Sequence, residues 1–369
     1  MSPAPGARTV EEYLSARVEA GEIPGAAWAV AGPEGILQEG AAGDAVVLPE
    51  RIAAAPSTIY DLASLTKPLV TSFLFLKLGE DLGLTPGAPA RRYLPELDRI
   101  DKRDITLEHL LTHTSGLPAW APFYARGTTA GEYLLQIREL SPEARPGVRV
   151  IYSDVGYIAL GEILRRCASV PLDALAREEI FGPLELTCTA FKPPRAWVPR
   201  VAATEESCNY ERGLAASLAD GYAGWREGVI RAEVHDQNAW VLGGVSGHAG
   251  LFSTARETAI ISLEYLGTRG SRGLLDEEAV RFAREDRTPG LEEARSLAFR
   301  IASRGETAAG PALPPETFGH NGFTGTSVWI DPVRPRVYVL LTNRVHPAVS
   351  DRADMLALRR GFHSVASKI

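Results

Sequence analysis

The chain has 369 residues, enough for about two domain-sized units, and its 45% hydrophobic and 23% charged side chains are the balance of an ordinary globular protein with a sizeable core. A net charge of −7 argues against phosphate-backbone binding as a main function, because nucleic-acid binders carry a basic face. Met1 to Gly6 lacks the basic start, apolar run and small-residue cleavage site of a secretory signal, and runs such as Ser72–Leu78 and Val337–Leu341 are far too short to span a bilayer. Cys167, Cys188 and Cys208 are odd in number and not closely spaced, so buried, reduced thiols in a cytoplasmic protein are expected.

Taken in chain order, Thr9–Ala20 reads as a helix, with Val10, Tyr13, Leu14 and Val18 at helical spacing. Gly25–Ala31 and Ile36–Gly40 read as strands joined by the turn Gly32-Pro33-Glu34-Gly35. The middle is mostly helical, with candidates at Ser64–Leu78, Thr106–Thr112, Thr129–Glu139, Val155–Ala168 and Leu172–Ile180. Two long loops interrupt it, Gly116–Gly127 and Lys192–Gly213; loops of such length are often rims or lids. Trp120, Phe123 and Tyr124 in the first are candidate cleft-rim residues, with ordinary packing the competing explanation. Strand character returns at Leu297–Ala302, Ser327–Ile330 and Val337–Leu341, and a helix over Asp351–Val365 closes the chain. The pattern predicts an α/β protein of the α+β type. Residues 1–63 and 246–369 build an antiparallel sheet flanked by helices, residues 64–245 form an inserted, mostly helical domain, and the site lies between them.

Ser64-Leu65-Thr66-Lys67 places a hydroxyl and an amine on one helix face, three residues apart. Pro68 is tolerated only where a helix has just begun, so Ser64 sits at a helix start. Free N–H groups and the helix dipole there favour an alkoxide and an acyl-transfer oxyanion. The apolar run Leu69–Leu78 desolvates Lys67, which lowers its pKa toward that of a base. A helix cap followed by an exposed lysine would look the same. Lysine is scarce, however, and none of Lys77, Lys102, Lys192 and Lys368 has a serine three residues before it.

The tetrad in its Asp61-Leu62-Ala63-Ser64 setting resembles the first motif of the penicillin-recognising serine hydrolases, in the class C β-lactamase-like branch with its DD-peptidases, esterases and amidases. The likeness continues through Leu110–Leu117, Phe181–Leu184, Gly247–Ser253 and His320-Asn321-Gly322-Phe323-Thr324-Gly325-Thr326. It implies a β-lactamase/transpeptidase-like fold. It also implies a catalytic set of Ser64 as nucleophile, Lys67 and Tyr152 as proton handlers, and the backbone N–H groups of Ser64 and Phe323 as oxyanion hole. Gly322 would let the strand approach substrate closely.

Two positions depart from the family pattern. Tyr152-Ser153-Asp154 stands where Tyr-x-Asn is usual, and an ionised aspartate accepts hydrogen bonds but cannot donate them, so Asp154 suits a substrate N–H or amine. A carboxylate there raises the pKa of Lys67, moving base duty to Tyr152. His320 replaces a lysine that would hold a substrate carboxylate at any physiological pH, which weakens a β-lactamase reading.

His109 and His113 lack the glutamate of a zinc-protease motif, and His235, Asp236 and His248 fit tight turns or cleft walls better than a metal site. Gly244-Val245-Ser246-Gly247-His248 fails as an α/β-hydrolase elbow, with histidine in place of the last glycine. The expected activity is an acyl-enzyme hydrolase without metal or organic cofactor. Its small-molecule or peptide-like substrate is muropeptide-like by preference, with carboxylesterase, β-lactamase and an inactive ligand-binding member of the fold as alternatives.

Overall fold

The computed structural model describes residues 7–268, 270–350 and 353–369. Met1–Gly6, and Asp351 and Arg352 of the expected last helix, lie outside them. Thr9 starts α1 (Val10–Glu19): its hydroxyl accepts the Glu12 N–H while the Glu12 carboxylate accepts the Thr9 N–H, at 3.1 and 3.3 Å. The predicted hairpin follows as β1 (Gly25–Gly32) and β2 (Gly35–Val46), the latter running well past Gly40 to meet β3 (Ile52–Ala53).

Next, β4 (Tyr60–Asp61) leads into the Ser64 segment. Instead of one helix over Ser64–Leu78 there is a short turn at Ala63–Leu65, a wide π-type stretch at Lys67–Ser72, and only then α2 (Phe73–Leu78). Pro68 has no N–H to donate to Ser64, which loosens the ladder at that point. Leu69, Val70, Phe73 and Leu74 are fully buried, each worth about 1.5–3 kcal/mol over an exposed position, so packing holds the irregular segment. Capped starts at Thr106, Thr129 and Ser153 set α3 (Leu107–Leu111), α4 (Ala130–Glu139) and α5 (Asp154–Ala168); α6 (Leu172–Ala176) follows. The expected loop over Lys192–Gly213 is more ordered than its polar composition suggests. After β5 (Ala190–Phe191) it contains a helical turn at Arg195–Arg200, β6 (Ala203–Glu206) and α7 (Asn209–Leu214), and β6 pairs with a distant partner, β7 (Val229–Arg231). Asp236 then caps α8 (Gln237–Val241).

β8 (Leu251–Ser253) joins β4 and β5 in a small sheet, ahead of α9 (Ala255–Leu263) and α10 (Glu277–Phe282). The remaining strands are β9 (Arg300–Ile301), β10 (Phe318–Asn321), β11 (Ser327–Asp331) and β12 (Arg336–Thr342), and α11 (Met355–Ala366) begins at the Asp354 cap. The main sheet is antiparallel, in the order β3-β2-β1-β12-β11-β10-β9, so strands from both chain ends meet where β1 pairs with β12. Period-two alternation divides its side chains. Ala27, Ala29, Ala31, Val337, Val339 and Leu341 join the large core shared with the helices of the middle of the chain. Ala26, Trp28, Val30, Tyr338 and Leu340 pack with residues of α1 and α11 on the other face. All three cysteines are unpaired; Cys208 is buried, whereas Cys167 and Cys188 are half-exposed rather than buried as expected. Among the described residues no helix is long and apolar enough to cross a membrane.

Candidate active site

Two chain segments are tied together to make the site. After β4, Ala63 adopts φ 48°, a left-handed conformation costing a non-glycine residue about 1–2 kcal/mol. Asp61 holds the turn: its carboxylate accepts the Ala63 N–H at 2.8 Å and the His235 N–H at 2.7 Å. From the facing strand end, the Thr324 hydroxyl donates to Asp61 O at 2.8 Å and the Thr326 hydroxyl to Leu62 O at 3.0 Å. These bonds set the Gly322-Phe323 segment beside the Ser64 turn. Arg359 clamps it from behind by donating to Gly322 O and Thr326 O at 3.1 and 3.0 Å. Glycine at 322 is demanded by this packing more than by substrate approach, since a Cβ there would lie 2.0 Å from Thr326 Oγ1 and 2.7 Å from Leu62 O.

Lys67 is fully buried beneath the turn. Its Nζ lies 3.0 Å from Ser64 Oγ, 3.2 Å from His248 O and 2.6 Å from Asp154 Oδ1. An ammonium has three donors and no acceptor, and three acceptors surround this one. Burial alone pulls the lysine's pKa down, but the Asp154 carboxylate, aided by Tyr152, outweighs it and the net movement is upward. Lys67 is a fixed cation, not the desolvated neutral amine that the apolar run alone would give.

Tyr152 precedes the α5 cap. The Ser153 N–H donates to His113 Nδ1 at 2.9 Å, and the Ser153 hydroxyl accepts the Gly156 N–H and donates to Pro118 O. The His113 ring packs between Tyr152 and Tyr157, with centroids 4.5 and 5.0 Å away. Burial, then the charges of Arg295 and Lys67, pushes its pKa far down, so it is neutral with its proton on Nε2. The Tyr152 hydroxyl is buried beside Lys67, whose Nζ sits 4.9 Å from its ring centre.

His320, on β10, is buried, with Nδ1 2.9 Å from Asn321 O. A carbonyl only accepts, so Nδ1 carries the proton and Nε2 is left as an acceptor. Burial, then Lys67 and Arg295, drives its pKa well below the usual value. The position offers no cation.

A cleft of about 620 Å³ collects every predicted site residue except the buried Lys67: Ser64, Tyr152, Asp154, His320, Gly322 and Phe323 all line it. Trp120 lines it too, but Phe123 and Tyr124 are buried in packing rather than at the rim. Arg295 and Arg300 were not foreseen from the sequence, having no motif around them. Arg295 lies 5.6 Å from the Tyr152 ring centre, and both arginines share Glu293, at 2.6 and 3.3 Å. Asp61, Thr324 and Thr326 carried a signal, since they stand inside the family-like motifs. His248 spends its ring nitrogens on Ser246 and Asp236, and His235 pairs with Glu205. Among the described residues no group of three or more His, Cys, Asp or Glu side chains is placed to hold a metal.

The Beta-lactamase family profile matches residues 10–361. The chain belongs to that family. This β-lactamase-family serine hydrolase is 34% identical, over 83% of its length and 74% of the relative's, to an Escherichia coli (strain K12) protein described as "Putative D-alanyl-D-alanine carboxypeptidase". A Salmonella agona protein of the same description matches at 34% over the same shares. Among solved structures, a penicillin-binding protein homologue from Caulobacter crescentus superposes with a TM-score of 0.73 at 20% identity over 95% of each chain. EstCE1, a hydrolase with promiscuous acyltransferase activity, gives 0.72 at 20% identity over 95% of this chain and 96% of that one. At such identity these two show the fold alone, a mixed α/β fold of β-lactamase/transpeptidase type.

Proposed function

We propose that this serine hydrolase is a peptidase of the D-alanyl-D-alanine carboxypeptidase kind, acting on muropeptide-like peptides through an acyl-enzyme on Ser64. The observation that carries the reading is the Ser64–Lys67–Asp154 arrangement, 3.0 and 2.6 Å across its two contacts, at the floor of a cleft walled by Tyr152 and the end of β10. Lys67 stays charged. Tyr152, acting in its phenolate form beside that cation, takes the Ser64 proton and becomes the neutral phenol as Oγ bonds to the scissile carbonyl carbon. The carbonyl oxygen becomes an oxyanion facing the Ser64 and Phe323 N–H groups. On collapse the C–N bond breaks and Tyr152 returns the proton to the leaving amine; water then attacks the acyl-enzyme by the reverse route.

A carboxypeptidase must also hold a free carboxylate. Neutral His320 does not offer a charge for it, but Arg295 and Arg300 line the same cleft with only Glu293 between them, and a guanidinium fits a carboxylate in two-pronged fashion. The relatives' description supports the same substrate class. Breakdown of cell-wall fragments inside the cell is the matching place of action, and cell fractionation tests it. The decisive experiment compares D-alanine release from an acyl-D-Ala-D-Ala peptide with turnover of a p-nitrophenyl ester and a chromogenic cephalosporin. D-alanine release, abolished by Ser64→Ala, is expected. Ester turnover alone would make the protein a carboxylesterase, and absence of any covalent fluorophosphonate adduct on Ser64 would make it a ligand-binding member of the fold.

A further inference from the structure

Arg359, on α11, lines the cleft from behind the end of β10 and is only 7% exposed. Its Nη2 alone makes both contacts to the strand end, with Gly322 O at 3.1 Å and Thr326 O at 3.0 Å. Nε is buried without a hydrogen-bond partner, and among the described residues no carboxylate pairs with the guanidinium. Burial, then the nearby charge of Arg344, pulls its pKa down to about 9, so nothing local offsets the cost of the cation. A clamp does not need that charge. Gly322 O already accepts the Gly325 N–H at 3.1 Å, and Thr326 O the Gly322 N–H at 2.7 Å. A buried cation set against two carbonyls that already have neutral donors calls for another reason.

Gly322 O belongs to the same peptide unit as the Phe323 N–H. That unit is planar and trans, so its C=O and N–H point in opposite directions. Holding the oxygen toward Arg359 therefore turns the N–H away from it, and that N–H makes no hydrogen bond among the described residues. Gly322 and Phe323 both line the cleft with Ser64. We infer that Arg359 is a positioning residue for acyl transfer: its charge, acting through the Gly322–Phe323 peptide, aims the Phe323 N–H at the oxyanion and strengthens it as a donor. A cation on the carbonyl draws electron density from the amide, and hydrogen bonds in series polarise one another by about 10–30% per bond. The effect is worth most as the substrate's carbonyl oxygen turns negative, so it favours the transition state over bound substrate. The next peptide is fixed separately, since Arg344 Nε donates to Phe323 O at 2.8 Å.

The inference rests on the Phe323 amide being an oxyanion donor, and not on which amide or ester is the natural substrate. Its test compares p-nitrophenyl acetate with its thiono counterpart, in which sulfur, a weak acceptor, replaces the carbonyl oxygen. The ratio of the two kcat/KM values reads the oxyanion contact, and any loss of folded enzyme cancels from it. The full-length parent is expected to favour the oxygen ester. Arg359→Gln keeps a donor but has no charge. It is expected to lower kcat for the oxygen ester about 10- to 100-fold with little change in KM, and the ratio about tenfold. Arg359→Lys, whose single nitrogen can stand in for Nη2, is expected to keep the ratio within about threefold of the parent's. Gly322→Ala, which displaces the amide itself, is the reference. A ratio that falls in Gly322→Ala but not in Arg359→Gln overturns the inference and leaves Arg359 as a clamp. So does an Arg359→Lys ratio as low as that of Arg359→Gln, because the charge would then count for nothing. A ratio unmoved in all three variants defeats the Phe323 oxyanion reading itself, and the inference with it.

Discussion

At the scale of single residues, the three acceptors around Lys67 are not equivalent. Ser64 Oγ and His248 O would accept from a neutral or a charged amine, but the Asp154 carboxylate 2.6 Å away selects the charged one. Asp154→Asn removes the only full negative charge among the three while keeping shape. Burial is then opposed only by the smaller effect of Tyr152, and the Lys67 pKa falls. If Tyr152 takes the Ser64 proton and depends on the Lys67 charge, activity is lost when Lys67 deprotonates, so the alkaline limb of kcat/KM moves to lower pH in Asp154→Asn. If Lys67 were itself the base, the acidic limb would move down instead, and the variant would gain activity at low pH. A pH–rate profile of the two proteins separates these outcomes. An unmoved profile would show that Asp154 does not govern the lysine at all.

At the scale of elements, the site depends on how the end of β10 is fastened to the turn before Ser64. Thr324 and Thr326 make that joint through two backbone carbonyls, and Gly322 lets it close. Thr326→Val keeps the volume but removes one of the two donors to Leu62 O, which still accepts the Leu65 N–H at 3.1 Å, an expected loss of about 0.5–1.5 kcal/mol that a thermal melt reads as a lower Tm. Gly322→Ala acts differently. Its Cβ cannot stand 2.0 Å from Thr326 Oγ1, so the segment carrying the Phe323 amide must shift. Displacing one oxyanion donor costs about 10²–10³ in kcat, so acylation by a fluorophosphonate is expected to slow by that order while far-UV circular dichroism is unchanged. Acylation at the parent rate would mean that Phe323 does not contribute its N–H. Elements like these explain what sequence reading captures. Capped helices such as α4 and α5 carry their start signals locally, at Thr129 and Ser153. The wide turn after Ser64 and the β6–β7 pair do not, because one is held by packing around Leu69–Leu74 and the other by a partner more than twenty residues away.

At the scale of the whole molecule, the meeting of both chain ends in one sheet follows from strands that alternate and hairpins that pair in sequence, and was legible for that reason. Most of the cleft's charged walls were not, since Arg295, Arg300 and Glu211 sit outside any motif and converge only through the tertiary fold; Asp236, read from the sequence as a turn or cleft-wall residue, does line the cleft. The same burial that shapes the cleft sets a pH dependence of stability. His109, His113, His320, His346 and His363 all have their pKa lowered, chiefly by burial, His363 to about 4 from 6.5. In the unfolded chain each takes up a proton as pH falls below about 6.5, while the folded protein resists it, so stability is present above that pH and is lost on acidification. Asp61 and Glu211 oppose this, because their raised pKa values keep protons on the folded state that the unfolded chain releases. Five groups outweigh two, and the net slope is positive. Urea midpoints are therefore expected to fall steadily from pH 6.5 to pH 5, before ordinary carboxylates begin to titrate. For His363, whose Nδ1 lies 2.7 Å from Ala308 O, this lowering corresponds to about 3 kcal/mol if acidification continues to pH 4. His363→Asn keeps a donor for that carbonyl and removes the titration, so its stability should decline less steeply than the parent's over the same range. A midpoint that stays level between pH 6.5 and pH 5 would mean that the buried histidines gain their protons without unfolding anything.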